Sequence, residues 1–369
     1  MRCVRLAAQG FRNLQAFELS CDAQFVVFCG DNAQGKTNSL EALYWAATLK
    51  PLRGRKSSEL VQWGAERASV VIDVQHEGLT RRHRVDYAAG TRAIRVDGKT
   101  PLELSDYFAG VRAIAFAPSD ASIIDGEPSR RRDWVDRATF TRQPAYLDLV
   151  RAYLRALGHK AAALKGGADM ALLDVYDEQL SSLGARVVER RTALLDALDP
   201  HIKEVHRIIS GRRETLGLRM RTRGEGVDRA ARTEALREAM SHSRELDLRR
   251  GFTLVGPHTD ELVVTLDGKA VRTFGSRGQV RSLVLSLKLA ELLAAQQAGV
   301  TPIFLLDDVS SELDRSRTGR LIGVLAELGA QVLVSTTSPG HIEGLPEHDT
   351  LVVSVEAGNL EPLPPTSPS

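Results

Sequence analysis

The stretch "FVVFCGDNAQGKTNSLEAL", residues 25 to 43, constrains the fold of this chain more than any other. Four apolar residues, Phe25 to Phe28, run into Gly30-Asp31-Asn32-Ala33-Gln34-Gly35-Lys36-Thr37, which matches the phosphate-loop pattern G-x-x-x-x-G-K-[ST] in full. Leu40, Leu43 and Ala47 then recur at helical spacing, so the stretch predicts a strand, a loop and a helix. The glycines let the backbone curl until its N–H groups point inward at phosphate oxygens, and the helix dipole favours the same negative charge. On this pattern residues Gly30, Asp31, Asn32, Ala33, Gln34, Gly35, Lys36 and Thr37 cradle the phosphates of a nucleotide, Lys36 reaches the β and γ phosphates, and the Thr37 hydroxyl ligates Mg²⁺.

A phosphate loop alone does not separate a kinase from a GTPase or a transporter ATPase. In "PIFLLDDVSSELD" an apolar strand, Ile303 to Leu306, ends on Asp307-Asp308. A carboxylate at the end of a buried strand can orient Mg²⁺ beside Thr37, which is the role expected of Asp307, and Asp308 is placed to polarise an attacking water. A third element, "FGSRGQVRSLVLSLKLAELL", joins a glycine-rich turn to an apolar helix. There Ser276, Gly278 and Gln279 offer hydroxyl, backbone N–H and amide groups to a γ-phosphate at a helix N-terminus.

Around these elements the chain alternates in character. Residues 1 to about 100 read as strands and turns, with turn signals at His76 to Gly78, Ala88 to Gly90 and Asp97-Gly98. A charged helical stretch follows, in which Leu180, Leu183, Val187, Leu194 and Leu198 form a narrow stripe interrupted by Arg190, and Gly166-Gly167 mark a turn. An antiparallel helical arm is expected there; a plain helical domain with a solvated charged face fits the same pattern. From Gly251 the α/β alternation returns and implies a parallel sheet. The expected fold is therefore α/β: a discontinuous nucleotide-binding unit from residues 1–119 and 246–369, an inserted helical arm at 120–245, and a disordered Pro- and Ser-rich tail at 360–369.

Composition narrows the class. With 43% apolar and 26% charged residues and a formal charge of +2, nothing marks a disordered chain, and any polyanion must be met by local patches. No apolar run is long enough to span a bilayer and the N-terminus lacks the apolar core of a signal peptide, so a cytoplasmic protein with no membrane partner is expected. Cys3, Cys21 and Cys29 are read as buried reduced thiols, and the nine histidines show no metal-ligand spacing.

In this order the elements resemble ABC-type ATPase heads, with a phosphate loop at 30–37, a signature loop at 275–279, a second nucleotide motif ending at Asp307, and a D-loop in Ser311-Glu312-Leu313-Asp314. The stretches "GDNAQGKTNSLEAL", "FAPSDASIIDGEPSRRRDWVD", "GFTLVGPHTDEL" and "LDDVSSELD" narrow the resemblance to the bacterial RecF family, over nearly the whole chain. That resemblance implies an ATP-dependent homodimer in which Ser276, Gly278, Gln279 and Asp314 of one copy act in trans on ATP held by the other. It further implies slow, DNA-stimulated hydrolysis suited to a switch, binding at gapped or single/double-strand junction DNA, a RecR-type mediator partner and aid in recombinase loading. Asp308 in place of a glutamate and Thr337 in place of a switch histidine resemble RecF rather than transporters, while Thr259 and "GHKAA" at 158–162 depart from the family pattern. An SMC-like clamp and a transporter ATPase subunit are the alternatives. Candidate DNA contacts are Arg53, Arg55 and Lys56; Arg130, Arg131 and Arg132; and Arg219, Arg221 and Arg223, although a solvated face is the commoner reading of any one such cluster.

Overall fold

The computed structural model describes residues 1–54, 56–167, 169–309 and 314–364. The chain divides into two compact units, the first built from Met1–Asp120, Val205–Arg212 and Arg281–Ser369, the second from Ala121–Glu204 and Arg213–Val280.

The first unit is organised by a mixed six-stranded sheet. Its strand order is Asn359–Pro362, Thr350–Glu356, Phe25–Cys29, Val332–Thr336, Ile303–Leu306, Ala113–Phe116. All neighbours run parallel except the first pair. Every residue of Phe25–Cys29, Ile303–Leu306 and Val332–Thr336 is buried, which is why these strands read as continuous apolar runs rather than alternating ones. The helix Lys36–Thr48 buries Leu40, Leu43 and Trp45, with Phe11 lying 5.8 Å from Trp45 between ring centroids. A five-stranded antiparallel sheet completes the unit: Phe17–Ser20, Arg2–Gln9, Arg67–His76, Leu79–Ala88, Thr91–Val96. Its turns fall where the sequence placed them, at Glu77-Gly78, Ala89-Gly90 and Asp97-Gly98, each with positive φ at both residues, as two-residue hairpins require.

The second unit carries the helices Pro128–Arg142, Tyr146–Lys165, Arg229–Arg250 and most of Met170–Ser210. Leu180, Val187, Leu194 and Leu198 are buried as the stripe predicts. The charge that interrupts the stripe is outward at Arg190, which is exposed, whereas its neighbour Arg191 is buried and bound to Asp136, Asp260 and the Pro257 carbonyl.

Two boundaries differ from the sequence reading. The second unit runs on to Val280 and includes a three-stranded antiparallel sheet, Lys269–Ala270, Glu261–Leu266, Leu216–Arg221, so it is not a purely helical insertion. Residues 360–362, assigned to a tail, pair as part of Asn359–Pro362 with Thr350–Glu356, because the apolar Leu360 and the turn at Ala357-Gly358 permit a hairpin before the Pro-rich segment begins. All three cysteines are free and buried. No helix among the described residues is long and apolar enough to cross a membrane.

Candidate nucleotide site

Three parallel strands end side by side, and their carboxyl ends carry Gly30, Asp307 and Ser335. That is where an open parallel sheet presents ligand-binding groups, because the loops leaving the strands diverge there. The phosphate loop occupies this end. Gly30 has φ +148°, and a Cβ on it would meet the Val355 carbonyl oxygen at 2.3 Å; Gly35 has φ +122° and packs against Leu14. Both glycines are demanded by conformation, and Gly30 also by the close approach of the Val355 backbone. Ala33, at φ +66°, supplies the left-handed residue that turns successive N–H groups inward.

The side chains converge. Lys36 is buried, and its Nζ donates to the carbonyls of Gly30 and Asp31, each at 2.7 Å. The Thr37 hydroxyl donates to Asp307 Oδ1 at 2.6 Å, and the Ser335 hydroxyl donates to the same oxygen at 2.8 Å. The Asp308 N–H donates to Ser335 Oγ at 2.8 Å, and Asp308 itself is held at φ +52°, a conformation seldom adopted without glycine. Burial pushes the Asp307 carboxyl above its usual range, opposed by the hydroxyls of Thr37 and Ser335. A pocket is lined by Gly35, Lys36, Thr37, Asn38, Arg53, Asp308 and Ser335, with Asn32 and Ala33 at the loop.

The donor set fits a nucleotide with its metal. The first-turn N–H groups of the helix Lys36–Thr48 have no acceptor within the helix and suit phosphate oxygens. Thr37 and Asp307 offer hard oxygens already in contact. No group of three or more His, Cys, Asp or Glu among the described residues could hold a metal unaided, so an ion here would take its remaining ligands from phosphates and water, as Mg²⁺ does.

The loop is braced from distant sequence. Asn38 donates to Asn13 Oδ1 at 2.6 Å and Asn13 donates to the Ala33 carbonyl at 3.3 Å. On the other side the Ala357 N–H donates to Gln34 Oε1 at 2.6 Å and the Gly358 N–H to the Gln34 carbonyl at 2.9 Å. Buried Glu41 accepts from the Arg12 guanidinium at 2.9 Å and from the Arg53 N–H at 3.0 Å, while the Arg53 guanidinium donates to Asn38 Oδ1 at 3.1 Å. Sequence reasoning named neither Asn13, Asn38, Glu41 nor Ser335 as site residues. Only a polar residue ending an all-apolar strand, as Ser335 does in "VLVSTT", offered a signal.

Ser276, Gly278 and Gln279 lie in the second unit, with Ser276 and Gly278 exposed. The Ser276 N–H donates to Gln279 Oε1 at 2.9 Å and the Gln279 N–H to Ser276 Oγ at 3.3 Å, a reciprocal cap on the helix Arg277–Gln297, and Gln279 also donates to Glu214 at 2.8 Å. Asp314 is exposed and caps the helix Arg315–Glu327 by accepting from the Arg317 N–H at 2.9 Å; residues 311–313 of the expected D-loop lie outside the described residues.

Among the DNA candidates, Arg53 lines the nucleotide pocket, Lys56 is exposed, and Arg55 lies outside the described residues. Arg131 is a correction: at 2% exposure its Nε is locked to Glu261 at 2.5 Å and its Nη1 to the carbonyls of Ile124 and Gly126, since a guanidinium is buried at tolerable cost only with its charge paired, and it presents no donor to solvent. Arg132 is half-buried on the Asp260 carbonyl, and Arg130 is half-buried too. The segment "GPHTDE" is the other half of this clasp: His258 binds Tyr153 at 2.6 Å, Asp260 faces Arg191 at 3.6 Å, and Thr259 turns its hydroxyl onto the Gly256 carbonyl. Arg219, Arg221 and Arg223 are exposed.

A family model described as the RecF/RecN/SMC N terminal domain matches residues 3–359. The DNA replication and repair protein RecF of Myxococcus xanthus (strain DK1622) is 42% identical, covering 98% of this chain and 97% of its own length, and the RecF of Anaeromyxobacter sp. (strain Fw109-5) is 42% identical over 98% and 100%. A solved structure described as the recombination mediator protein RecF-ATP of the RecFOR pathway is similar with a TM-score of 0.89, 28% identity and 98% of both chains covered. An Smc head bound to a ScpA domain shares the fold, with a TM-score of 0.56 at 15% identity over 98% of this chain and 97% of that one.

Proposed function

The chain belongs to the RecF family of DNA replication and repair proteins, and from that premise we propose that it is a slow ATP-driven switch which closes as a homodimer on gapped or junction DNA. One observation carries the reading: the phosphate loop and the second nucleotide motif meet directly, through Thr37, Asp307 and Ser335 beside Lys36. Bound Mg²⁺ supplies the charge that offsets the β and γ phosphates. The chain supplies the rest. Lys36 exchanges its two carbonyl partners for phosphate oxygens, Thr37 and Asp307 hold the ion, and Asp308 orients a water for attack. Ser276, Gly278, Gln279 and Asp314 act from a second copy; the exposure of Ser276, Gly278 and Asp314 supports that role, since a helix start capped by its own side chains still has backbone N–H groups to offer. A single shorter carboxylate at Asp308 suits a turnover slow enough to act as a timer, with hydrolysis releasing DNA. A RecR-type mediator and recombinase loading follow from the family and belong to this reading as partners.

The test is the molar mass in solution with and without ATP and Mg²⁺, in the presence and absence of a gapped duplex. The wild type is expected to pass from monomer to dimer with ATP, further stabilised by DNA. Lys36→Ala should weaken ATP binding by on the order of 100-fold, the loss of charge-assisted hydrogen bonds to phosphate, and stay monomeric. Asp308→Asn should bind ATP normally and accumulate as dimer. A mass indifferent to ATP in the wild type would overturn the switch.

A further inference from the structure

Trp63 is 99% exposed, whereas Trp45 and Trp134 are fully buried, and the chain has no other tryptophan. Its position is fixed. The turn 62–65 hangs on the first unit's framework through a Gln62 N–H bond to the Gly10 carbonyl at 2.9 Å, an Ala65 N–H bond to the Gln62 carbonyl at 2.9 Å and a bridge between Phe11 and Val61. The neighbouring backbone is equally constrained, since the Arg12 N–H donates to the Leu60 carbonyl at 2.8 Å and a Cβ on Gly10 would meet the Arg67 carbonyl oxygen at 2.2 Å. Gly64, at φ +84° and with open space where a Cβ would stand, makes the turn that leaves Trp63 at its apex. A large flat ring is thus presented to solvent on ordered backbone.

The charges along the same stretch are mostly positive. Lys56 and Arg67 are exposed, as is Arg53, whose guanidinium is bound to Asn38 at the nucleotide pocket; Glu59 and Glu66 are the exposed acidic residues between them, and the Glu59 carboxylate is folded back over Gly54. Exposed cations with an exposed aromatic ring are the chemistry that receives single-stranded nucleic acid: the cations meet phosphates, and an unpaired base stacks on the ring irrespective of its identity. Duplex bases are already stacked on one another and present no free face to it.

We infer that Trp63 is a stacking platform for an unpaired nucleobase, so that this surface of the first unit distinguishes the single-stranded part of a gap from its duplex flanks. The inference rests on the DNA-binding reading above and adds to it a residue and a substrate preference.

Because Trp45 and Trp134 are buried, fluorescence quenching by added oligonucleotide reports on Trp63. Titrating the full chain with oligo(dT), with a blunt duplex and with a gapped duplex should give strong quenching by oligo(dT) and the gapped duplex and little by the blunt duplex. Trp63→Ser should weaken oligo(dT) binding by about 10-fold, the loss of one stacked base, and leave ATP affinity unchanged, while Trp63→Phe recovers most of the affinity. DNA binding measured by anisotropy of a labelled strand separates two failures. Binding without quenching, or equal affinity in wild type and Trp63→Ser, overturns the stacking role alone; absence of DNA binding by the wild type overturns the DNA reading as well. A fluorescence change on adding ATP and Mg²⁺ without DNA, in step with dimer formation and absent from Trp63→Ser, would assign the indole to a contact with a second copy and overturn the role in stacking.

Discussion

Asp307 must be ionised to hold a cation, yet it is 3% exposed at the end of a buried strand. Burial raises its pKa, and the two hydroxyl donors, Thr37 and Ser335, pull it back by stabilising the carboxylate form. Ser335 also receives the Asp308 N–H, so one hydroxyl fixes both acidic residues. Replacing Ser335 with Ala removes a donor from the charged form, which leaves the Asp307 pKa higher still. The acidic side of the ATPase pH profile should then move to higher pH, with turnover restored as the medium becomes alkaline and Asp307 ionises. The stability consequence has the same sign: a carboxyl whose folded-state pKa lies above its unfolded one favours the fold at low pH and loses that advantage as pH rises through the folded value, more so in Ser335→Ala. Steady-state turnover against pH for the two proteins checks this; superimposable acidic limbs would mean Ser335 only fills space.

The phosphate loop is an element whose sequence announces it and whose rigidity is supplied elsewhere. Gly358 sits at φ +81° in the turn after Thr350–Glu356, and a Cβ on it would strike the Asn13 carbonyl oxygen at 2.2 Å. Since Asn13 braces one side of the loop and the Ala357-Gly358 turn braces Gln34 on the other, Gly358→Ala should both strain the turn and loosen the loop. We expect a loss of roughly 1–3 kcal/mol in stability and weaker ATP binding, read by denaturant titration with and without nucleotide. The same contrast explains what was legible beforehand. Gly30 to Thr37 and the strand before Asp307 were readable because motif and period lie within a few residues. Gln34's partners and the strand Asn359–Pro362 were not, because a hairpin more than 300 residues downstream carries no local sign that it abuts residue 34. Arg131 was misread for a related reason: three successive arginines look solvated until Glu261, 130 residues away, is seen to take one of them. The second unit's boundary at Val280 escaped notice because the helix Arg277–Gln297 runs through it without any change in its pattern.

Over the whole molecule 49 Lys and Arg nearly balance 47 Asp and Glu, so no long-range field gathers a polyanion and binding must come from local groups of exposed cations. Many are spent on internal pairs: Arg5 with Glu18, Arg82 with Asp73, Arg84 with Asp86, Arg244 with Asp174. Arg219 and Arg221 differ. They alternate along the edge strand Leu216–Arg221, so both side chains leave the same face, and both are exposed. If that face meets phosphates, changing both to Ala should reduce the slope of log affinity against log salt by roughly 1.5, from about 0.7–0.9 per phosphate contact, and weaken binding most at low salt. Arg131→Ala should behave otherwise, costing about 3–5 kcal/mol of stability by breaking a buried pair, while the protein that stays folded keeps the wild-type slope. Measuring slope and stability on both variants separates contact from scaffold. A slope unchanged by Arg219→Ala with Arg221→Ala would remove this strand from the DNA surface and leave other exposed cations, Lys56 and Arg67 of the first unit among them, to hold the backbone.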